Sequence, residues 1–439
     1  MKIFTITLAA GNGTRMKSST PKPLHKIAGM TLLNWSVRCF DGLNVEKKIL
    51  VASEDLIVKD SSLNDRFSIV IQNEKLGTGH AVKICRDLID EKSDIVIINY
   101  GDTPFVKSET IQNMISKLQS CDCVFLGFKT SDISNKYGRF IINQDQLIDI
   151  VEFKDASDSI REIDLCNSGI VAIKTSILLD NIDKIDNKNA ACEYYLTDLV
   201  KILKNSNKII SFVKCDESEV MGVNSRSDLA MAESAFQDSQ RDRFMNEGVT
   251  MRDPKTVFFS HDTVISNDVE IEPFVFFGQG VSIKSGSKIL ANSYLGNVVI
   301  GENCSIGPFA RLRGNSKIED SVVIGNFVEV KGSKIGKKSK AKHLAYIGDV
   351  DIGVGVNFGA GSVVANYDGF KKYRSVIGDW VIVGVNSSII SPLTIGSKSI
   401  IAAGSVITKN IDENELAISR TDQRNSVGGA ERFRNKKSG

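Results

Sequence analysis

The residues best suited to chemistry fall into two groups far apart in the chain. Near the start, Leu8-Ala9-Ala10-Gly11-Asn12-Gly13-Thr14-Arg15-Met16 follows an apolar run. Glycines there let backbone N–H groups close around phosphates, and the Arg15 guanidinium adds a fork of donors. Lys22, in Pro21-Lys22-Pro23-Leu24-His25, offers a second cation for the same phosphates, although alone it would read as a solvated surface lysine. Asp102, in Asn99-Tyr100-Gly101-Asp102, reads either as an oxygen ligand or as an acid capping a loop.

The second group lies beyond residue 300. Of four histidines, His25 and His80 belong to first-group motifs and His261 opens a repeat region, whereas His343 sits among Arg313, Lys331, Lys342 and Tyr346. A histidine is more often a hydrogen-bonded structural residue than a catalyst, but an imidazole titrating near neutrality suits proton transfer at pH 7. Arg313 and Lys331 are 18 residues apart, one repeat period. They should stack on one wall, and stacked cations repel unless an anion bridges them, which suggests a phosphate site.

The elements that must position these groups change character midway. Up to about residue 224, short apolar runs at 3–9, 48–53, 68–72, 94–99 and 123–129 read as strands, with helices at 79–92, 108–119 and 194–205. Such alternation predicts a mostly parallel α/β sheet with helices on both faces, and ligands at the carboxyl ends of its strands. Residues 227–246 read as an amphipathic connecting helix with Leu229, Ala232, Phe236 and Phe244 on one side and Gly248 as its stop. Beyond it the period becomes six, with apolar residues from Ile265 through Ile300, Ile324, Ile347, Val364 and Phe370 to Ile407, and Gly often next, as at Gly325 and Gly384. A hexad with one buried aliphatic and a turn-permitting Gly marks a parallel β-helix of about eight triangular coils. A break between Phe370 and Ile377 implies that an extra residue leaves the wall. The last residues are polar, basic and aperiodic, and read as a frayed tail.

Composition sets outer bounds. The 439 residues are 42% hydrophobic and 25% charged, with 55 Lys and Arg against 53 Asp and Glu. So small an excess argues against a nucleic-acid binder or a polybasic membrane anchor. No stretch approaches the ~18 apolar residues of a membrane span. The opening MKIFTITLAA reads as a strand rather than a secretory signal, which points to the cytoplasm. Eight scattered cysteines without a CxxC pair read as reduced structural thiols.

Several segments together carry a resemblance: LAAGNGTRM, PKPLHKIAG, QNEKLGTGHAV, NYGDTPF, YGRF, VEFKDA, CNSGI, EYYLTDLV and GVNSRSDLA. In order and spacing they resemble the sugar-nucleotide pyrophosphorylases. The closest resemblance, which extends over the hexads, is to the bacterial bifunctional N-acetylglucosamine-1-phosphate uridylyltransferases/glucosamine-1-phosphate N-acetyltransferases. The resemblance implies a Rossmann-like nucleotidyltransferase domain over 1–226, a linker helix over 227–248, a left-handed β-helix over 249–420 and a disordered tail over 421–439. It implies acetyl transfer from acetyl-CoA to glucosamine-1-phosphate, then uridylyl transfer from UTP to N-acetylglucosamine-1-phosphate, yielding a precursor of peptidoglycan and lipopolysaccharide. A cytoplasmic homotrimer using Mg²⁺, with no nucleic-acid or membrane partner, is the implied setting.

Residue roles follow only by that resemblance. Leu8, Ala9, Ala10, Gly11, Lys22, Gln72, Gly77, Thr78, Tyr100, Gly101, Asp102, Gly138, Glu152, Asn167 and Asn224 would bind UTP and the sugar nucleotide. Arg15 and Lys22 would assist transfer, and Asp102 and Asn224 would hold the metal. His343 would be the acetyl-transfer base. Arg313, Lys331, Tyr346, Asn357 and Lys372 would hold glucosamine-1-phosphate. Ala360, Asn366, Tyr367, Val385, Ala403 and Arg420 would contact acetyl-CoA. Ser168 stands where the family more often has Thr, Val385 where it commonly has Ser, and the hexads between about 283 and 306 look one coil short. Two alternatives stay open at this stage: a pyrophosphorylase for another sugar with a passive solenoid, and a non-catalytic scaffold like the translation-initiation exchange-factor subunits.

Overall fold

The computed structural model describes all residues except 91–92, 144–145, 190 and 437–439. The chain divides into two compact units, Met1–Phe236 and Gln237–Gly439. The division falls inside the helix Arg226–Asn246. Ala232 and Phe236 from its first part are buried with Ile27, Leu32 and Trp35, and the Trp35 and Phe236 rings meet edge to face at 5.2 Å. Phe244 from its second part is buried with Val257 and Phe259. The Gln237 side chain donates to the Phe259 carbonyl at 2.7 Å and accepts from the Phe259 N–H at 2.8 Å. The expected linker over 227–248 is therefore shared out between two cores, because its apolar side is long enough to serve both.

In the first unit, Ile3–Leu8 is buried along its whole length, as a strand covered on both faces must be. It pairs in parallel with Val45–Ala52 and Ile95–Tyr100. The sheet runs Ile210–Cys215, Cys123–Lys129, Leu165–Lys174, Ile95–Tyr100, Ile3–Leu8, Val45–Ala52, Ser68–Ile71. Only Leu165–Lys174 in that path runs antiparallel to its neighbours. One face packs Ile6 and Val96 on Val82, Leu178 and Leu199. The other packs Ile97 and Val124 on Ile111 and Met114.

Two of the expected helices are shorter or differently built than the spacing predicts. The one over 79–92 is Thr78–Lys83 followed by a 3-10 turn at Arg86–Leu88, and 91–92 lie outside the described residues. The one over 194–205 starts as a 3-10 turn, Leu196–Asp198, before Leu199–Asn205. Leu165–Lys174 is not marked by an unbroken apolar run, because Asn167, Ser168 and Gly169 interrupt it where its register with Cys123–Lys129 shifts. The hairpin strands Arg139–Asn143 and Gln146–Val151 are likewise unmarked.

The second unit is a parallel β-helix of three sheets with ten, eight and eight strands. The inward hexad positions line one continuous core. Its coils approach closely: a Cβ on Gly325 would lie 1.8 Å from the Lys342 carbonyl oxygen, so no side chain fits there. One expectation is overturned. Phe370 is 91% exposed, and the wall passes from the strand Val363–Ala365 to the strand Ser375–Ile377. Residues 367–374 leave the solenoid, not one extra residue. The tail expected to be disordered contains the helix Gly429–Asn435, none of whose residues is buried.

Six of the eight cysteines, including Cys121 and Cys123, are buried free thiols, whereas Cys192 is exposed and Cys215 partly so. Full burial of Ile347 and exposure of Phe370 separate two substitutions. Ile347→Ala should cost about 2–5 kcal/mol, while Phe370→Ser should cost less than about 0.5 kcal/mol. Calorimetric melting of the full chain checks this, and equal losses would overturn the inward assignment.

Candidate functional site

The first group of residues meets at the carboxyl edge of the sheet. Backbone bonds from Ala9 to Val51 at 2.8 Å and from Gly101 to Leu8 at 2.9 Å hold the loops after Ile3–Leu8 and Ile95–Tyr100 side by side. Gly77 adopts a φ of 109°, and a Cβ there would lie 2.5 Å from the Tyr194 carbonyl oxygen. Only glycine allows that crossing. A cavity of about 230 Å³ is lined by Leu8, Ala9, Ala10, Gly11, Lys22, Gln72, Gly77, Thr78, Tyr100, Gly101 and Asp102. A second, of about 320 Å³, is lined by Thr78, Tyr100, Asp102, Gly138, Glu152, Asn167 and Asn224. Thr78, Tyr100, Asp102 and Glu193 face both. Of the expected residues on this side, Arg15 alone lines neither; it is exposed on the 3-10 turn Thr14–Met16.

The Lys22 ammonium donates to the Asp102 carboxylate and to the Asn224 side-chain oxygen at 3.1 Å. A bond from the Val223 N–H to the Asp102 carbonyl at 2.9 Å brings the two segments together, and the Asp228 carboxylate accepts from the Asn224 and Ser225 N–H groups. A carboxylate and an amide oxygen that converge on one cationic atom are a donor set that fits a hard divalent cation. Burial pushes the Glu152 carboxyl above its ordinary range, against the hydrogen bond it accepts from the Thr197 hydroxyl. Burial likewise pushes the Tyr100 phenol up. The Gln72 amide donates to the Gly77 carbonyl at 3.2 Å and lies 3.1 Å from His80 Nδ1. His25, buried and beside Arg226, is lowered by burial and by that guanidinium, which fits a neutral structural imidazole.

Among the cavity residues given no role by the sequence are Lys75, Lys136, Tyr137, Glu193, Tyr195 and Thr197. The EYYLTD segment signalled a resemblance but not which of its side chains face a ligand. Lys75 carried no signal beyond adjacency to LGTG.

The second group lies on the β-helix. His343 is exposed and registers with Asn326 one coil away. Its Nδ1 lies 2.8 Å from the Asn326 side-chain oxygen. That oxygen accepts, so Nδ1 carries the proton and Nε2 holds the basic lone pair. Arg313 and Lys331 do stack in register. Each, however, has its own acid: Arg313 donates to Glu329 at 2.7 Å and Lys331 to Asp349 at 3.0 Å. The expectation that stacked cations need a foreign anion is corrected, since Glu329 on the neighbouring strand and Asp349 at the corner after Tyr346–Gly348 supply the carboxylates.

The Asp349 hydrogen bond holds the Lys331 ammonium above its ordinary value, and Lys372 lies beside it. Asp349 also accepts from Asn366 at 2.5 Å, at the root of the ejected segment that carries Tyr367 and Lys372. Tyr346 lies one coil beyond Glu329, and Asn357 one coil beyond Lys340 on the strand that carries His343. Ala360, Val385 and Ala403 form a column, linked by bonds of 2.8 Å from Asn386 to Ala360 and from Gly404 to Val385. Arg420 donates to the Ala403 carbonyl at 2.6 Å.

Comparison with known proteins places this arrangement. The family model of the MobA-like NTP transferase domain matches residues 5–139, and that of the bacterial transferase hexapeptide (six repeats) matches 297–332. A bifunctional protein GlmU from Sphingopyxis alaskensis is 40% identical over 434 residues, covering 98% of this chain and 96% of its own. One from Wolbachia pipientis wMel is 44% identical, covering 95% and 97%. One from Ruegeria sp. is 41% identical, covering 99% and 97%. Likeness of that degree runs through both units, and the chain belongs to the family of bifunctional GlmU proteins.

Proposed function

We propose that this chain makes UDP-N-acetylglucosamine in two steps, acetylating glucosamine-1-phosphate with acetyl-CoA and then transferring uridylyl from UTP to N-acetylglucosamine-1-phosphate. The observation that carries the reading is the pair of adjoining cavities that share Thr78, Tyr100, Asp102 and Glu193. They offer one chamber to a nucleotide and the next to a sugar, with the reacting phosphates where the chambers meet.

In the uridylyl step a phosphate oxygen of the sugar attacks the α-phosphorus of UTP, and pyrophosphate leaves. Charge spreads over the phosphoryl oxygens, so the residues act by positioning and by cationic stabilisation. Lys22 lies where the chambers meet and Arg15 at the rim of the glycine loop. Gln72, Gly77 and Thr78 line the nucleotide side, and Gly138, Glu152 and Asn167 the sugar side. Asp102 and Asn224 would hold Mg²⁺, which neutralises phosphate charge when bound. In the acetyl step His343 Nε2 takes a proton from the sugar amine, whose lone pair attacks the thioester carbon; the CoA thiolate leaves. Arg313, Lys331, Tyr346, Asn357 and Lys372 would seat the sugar phosphate, and the Ala360–Val385–Ala403 column with Asn366, Tyr367 and Arg420 the acetyl-CoA. Val385 offers no hydroxyl, so that contact is apolar.

The working form is a homotrimer. Phe309, Phe327 and Leu344 are all exposed along one edge of the β-helix beside His343, with the two Phe rings stacked at 5.2 Å. A neighbouring copy would cover that edge and close the open face on which acetyl-CoA is held. No helix among the described residues is long and apolar enough to cross a membrane, and the substrates place the work in the cytoplasm.

Three outcomes follow. His343→Ala should cut acetyl transfer at least about a hundredfold and leave uridylyl transfer from supplied N-acetylglucosamine-1-phosphate unchanged; most of the acetyltransferase rate surviving at pH 7 would end the assignment. Asp102→Ala should abolish uridylyl transfer and spare acetylation, each followed by its own product. Light scattering at micromolar concentration should give three times the chain mass, and a monomer with full acetyl transfer would contradict the trimer.

A further inference from the structure

One cation at the nucleotide-side cavity has no assigned role. Lys75 reaches from the loop after the strand Ser68–Ile71 and donates its ammonium to the side-chain oxygen of Asn12 in the glycine loop. The strand Val45–Ala52 lies between the two strands that carry these loops. The bond therefore spans the carboxyl end of that strand. Lys75 lines the cavity together with Gly11, Lys22, Gln72 and Gly77.

The charges of this cavity are unevenly committed. Asp102 and Glu193 face it as acids, Lys22 and Lys75 as cations. Lys22 is engaged by the Asp102 carboxylate, so its charge is largely cancelled before any ligand arrives. Lys75 is held by a neutral amide, which leaves its full charge directed at whatever enters. A triphosphate brings several negative charges that the backbone donors of the glycine loop cannot neutralise. An ammonium that trades a neutral amide oxygen for an anionic phosphate oxygen gains a charge-assisted hydrogen bond. The exchange needs only a side-chain rotation, because Lys75 is exposed.

We propose that Lys75 is a ligand for the nucleotide's phosphate chain, parked on Asn12 until a nucleoside triphosphate takes its place. This rests on the uridylyl-transfer reading of the same cavity. Asn12 is then a competitor for the ammonium, not a part of the binding site. No covalent step is involved.

The test is calorimetric titration of the full chain with magnesium UTP and, separately, with uridine. Lys75→Gln should weaken UTP by about fivefold, the scale of an exposed charge pair, and leave uridine unchanged. Lys75→Arg should restore UTP affinity, and the gap between wild type and Lys75→Gln should narrow at high salt. Asn12→Ala should bind UTP at least as tightly as the wild type. Unchanged UTP affinity in Lys75→Gln, equal weakening of UTP and uridine, or a parallel loss in Asn12→Ala would each overturn the assignment. A wild type that binds UTP without transferring uridylyl would instead sink the functional reading and leave Lys75 to be judged by the titration.

Discussion

Parallel backbone pairing limits which side chains can share a site, and both units are built within that limit. In the sheet, Leu8 registers with Val51 on one side and Tyr100 on the other, so the loops leaving these strands emerge together. Backbone N–H groups from one loop and carboxylates from the next can then face one chamber without any strand bending. In the β-helix the same pairing repeats every coil and sets Asn326 against His343 and Arg313 against Lys331. No loop has to find its partner, because the ladder of hydrogen bonds has already done so. Entropy that a looser fold would lose on ordering its site is spent once, on the scaffold.

Charge pairing is the second constraint, and it explains why most cations near the sites are not bare. Lys22 is held by Asp102, Arg313 by Glu329 and Lys331 by Asp349. A partly buried cation left alone would be costly, and its neighbours remove that cost. The consequence is competition, since an arriving phosphate must outbid a carboxylate that is already in place. Such sites favour a ligand whose charge exceeds that of one side chain.

Much of this was legible in the sequence, for unequal reasons. The hexads were readable because burial in a narrow prism imposes a strict period, and each buried aliphatic advertises it. Phe370 misled because an aromatic at the right spacing looks inward whether or not its segment is in the wall. The strands around the first site were readable where apolar runs were unbroken, and unreadable at Leu165–Lys174, where Asn167 and Ser168 face the cavity at the expense of the pattern. Arg15 was legible as a phosphate donor, yet it stands outside both cavities, because a motif fixes spacing along the chain and not the direction of a side chain. Glu329 and Asp349 were missed for a related reason: an acid's partner lies on the neighbouring coil, and the cations alone suggested a foreign anion.

The orientation of His343 shows what the solenoid adds that composition cannot. A lone exposed imidazole samples two tautomers and several rotamers, and only one of the tautomers leaves the lone pair on Nε2. The Asn326 oxygen at 2.8 Å selects the tautomer, and the close approach of Gly325 to Lys342 fixes how near the two coils lie. A side chain at residue 325 would push the coils apart and loosen that bond without touching the imidazole. Control of the imidazole thus begins at a residue that has no side chain at all. The constraint is steric first and electrostatic second, which is the order in which a backbone ladder can act on chemistry.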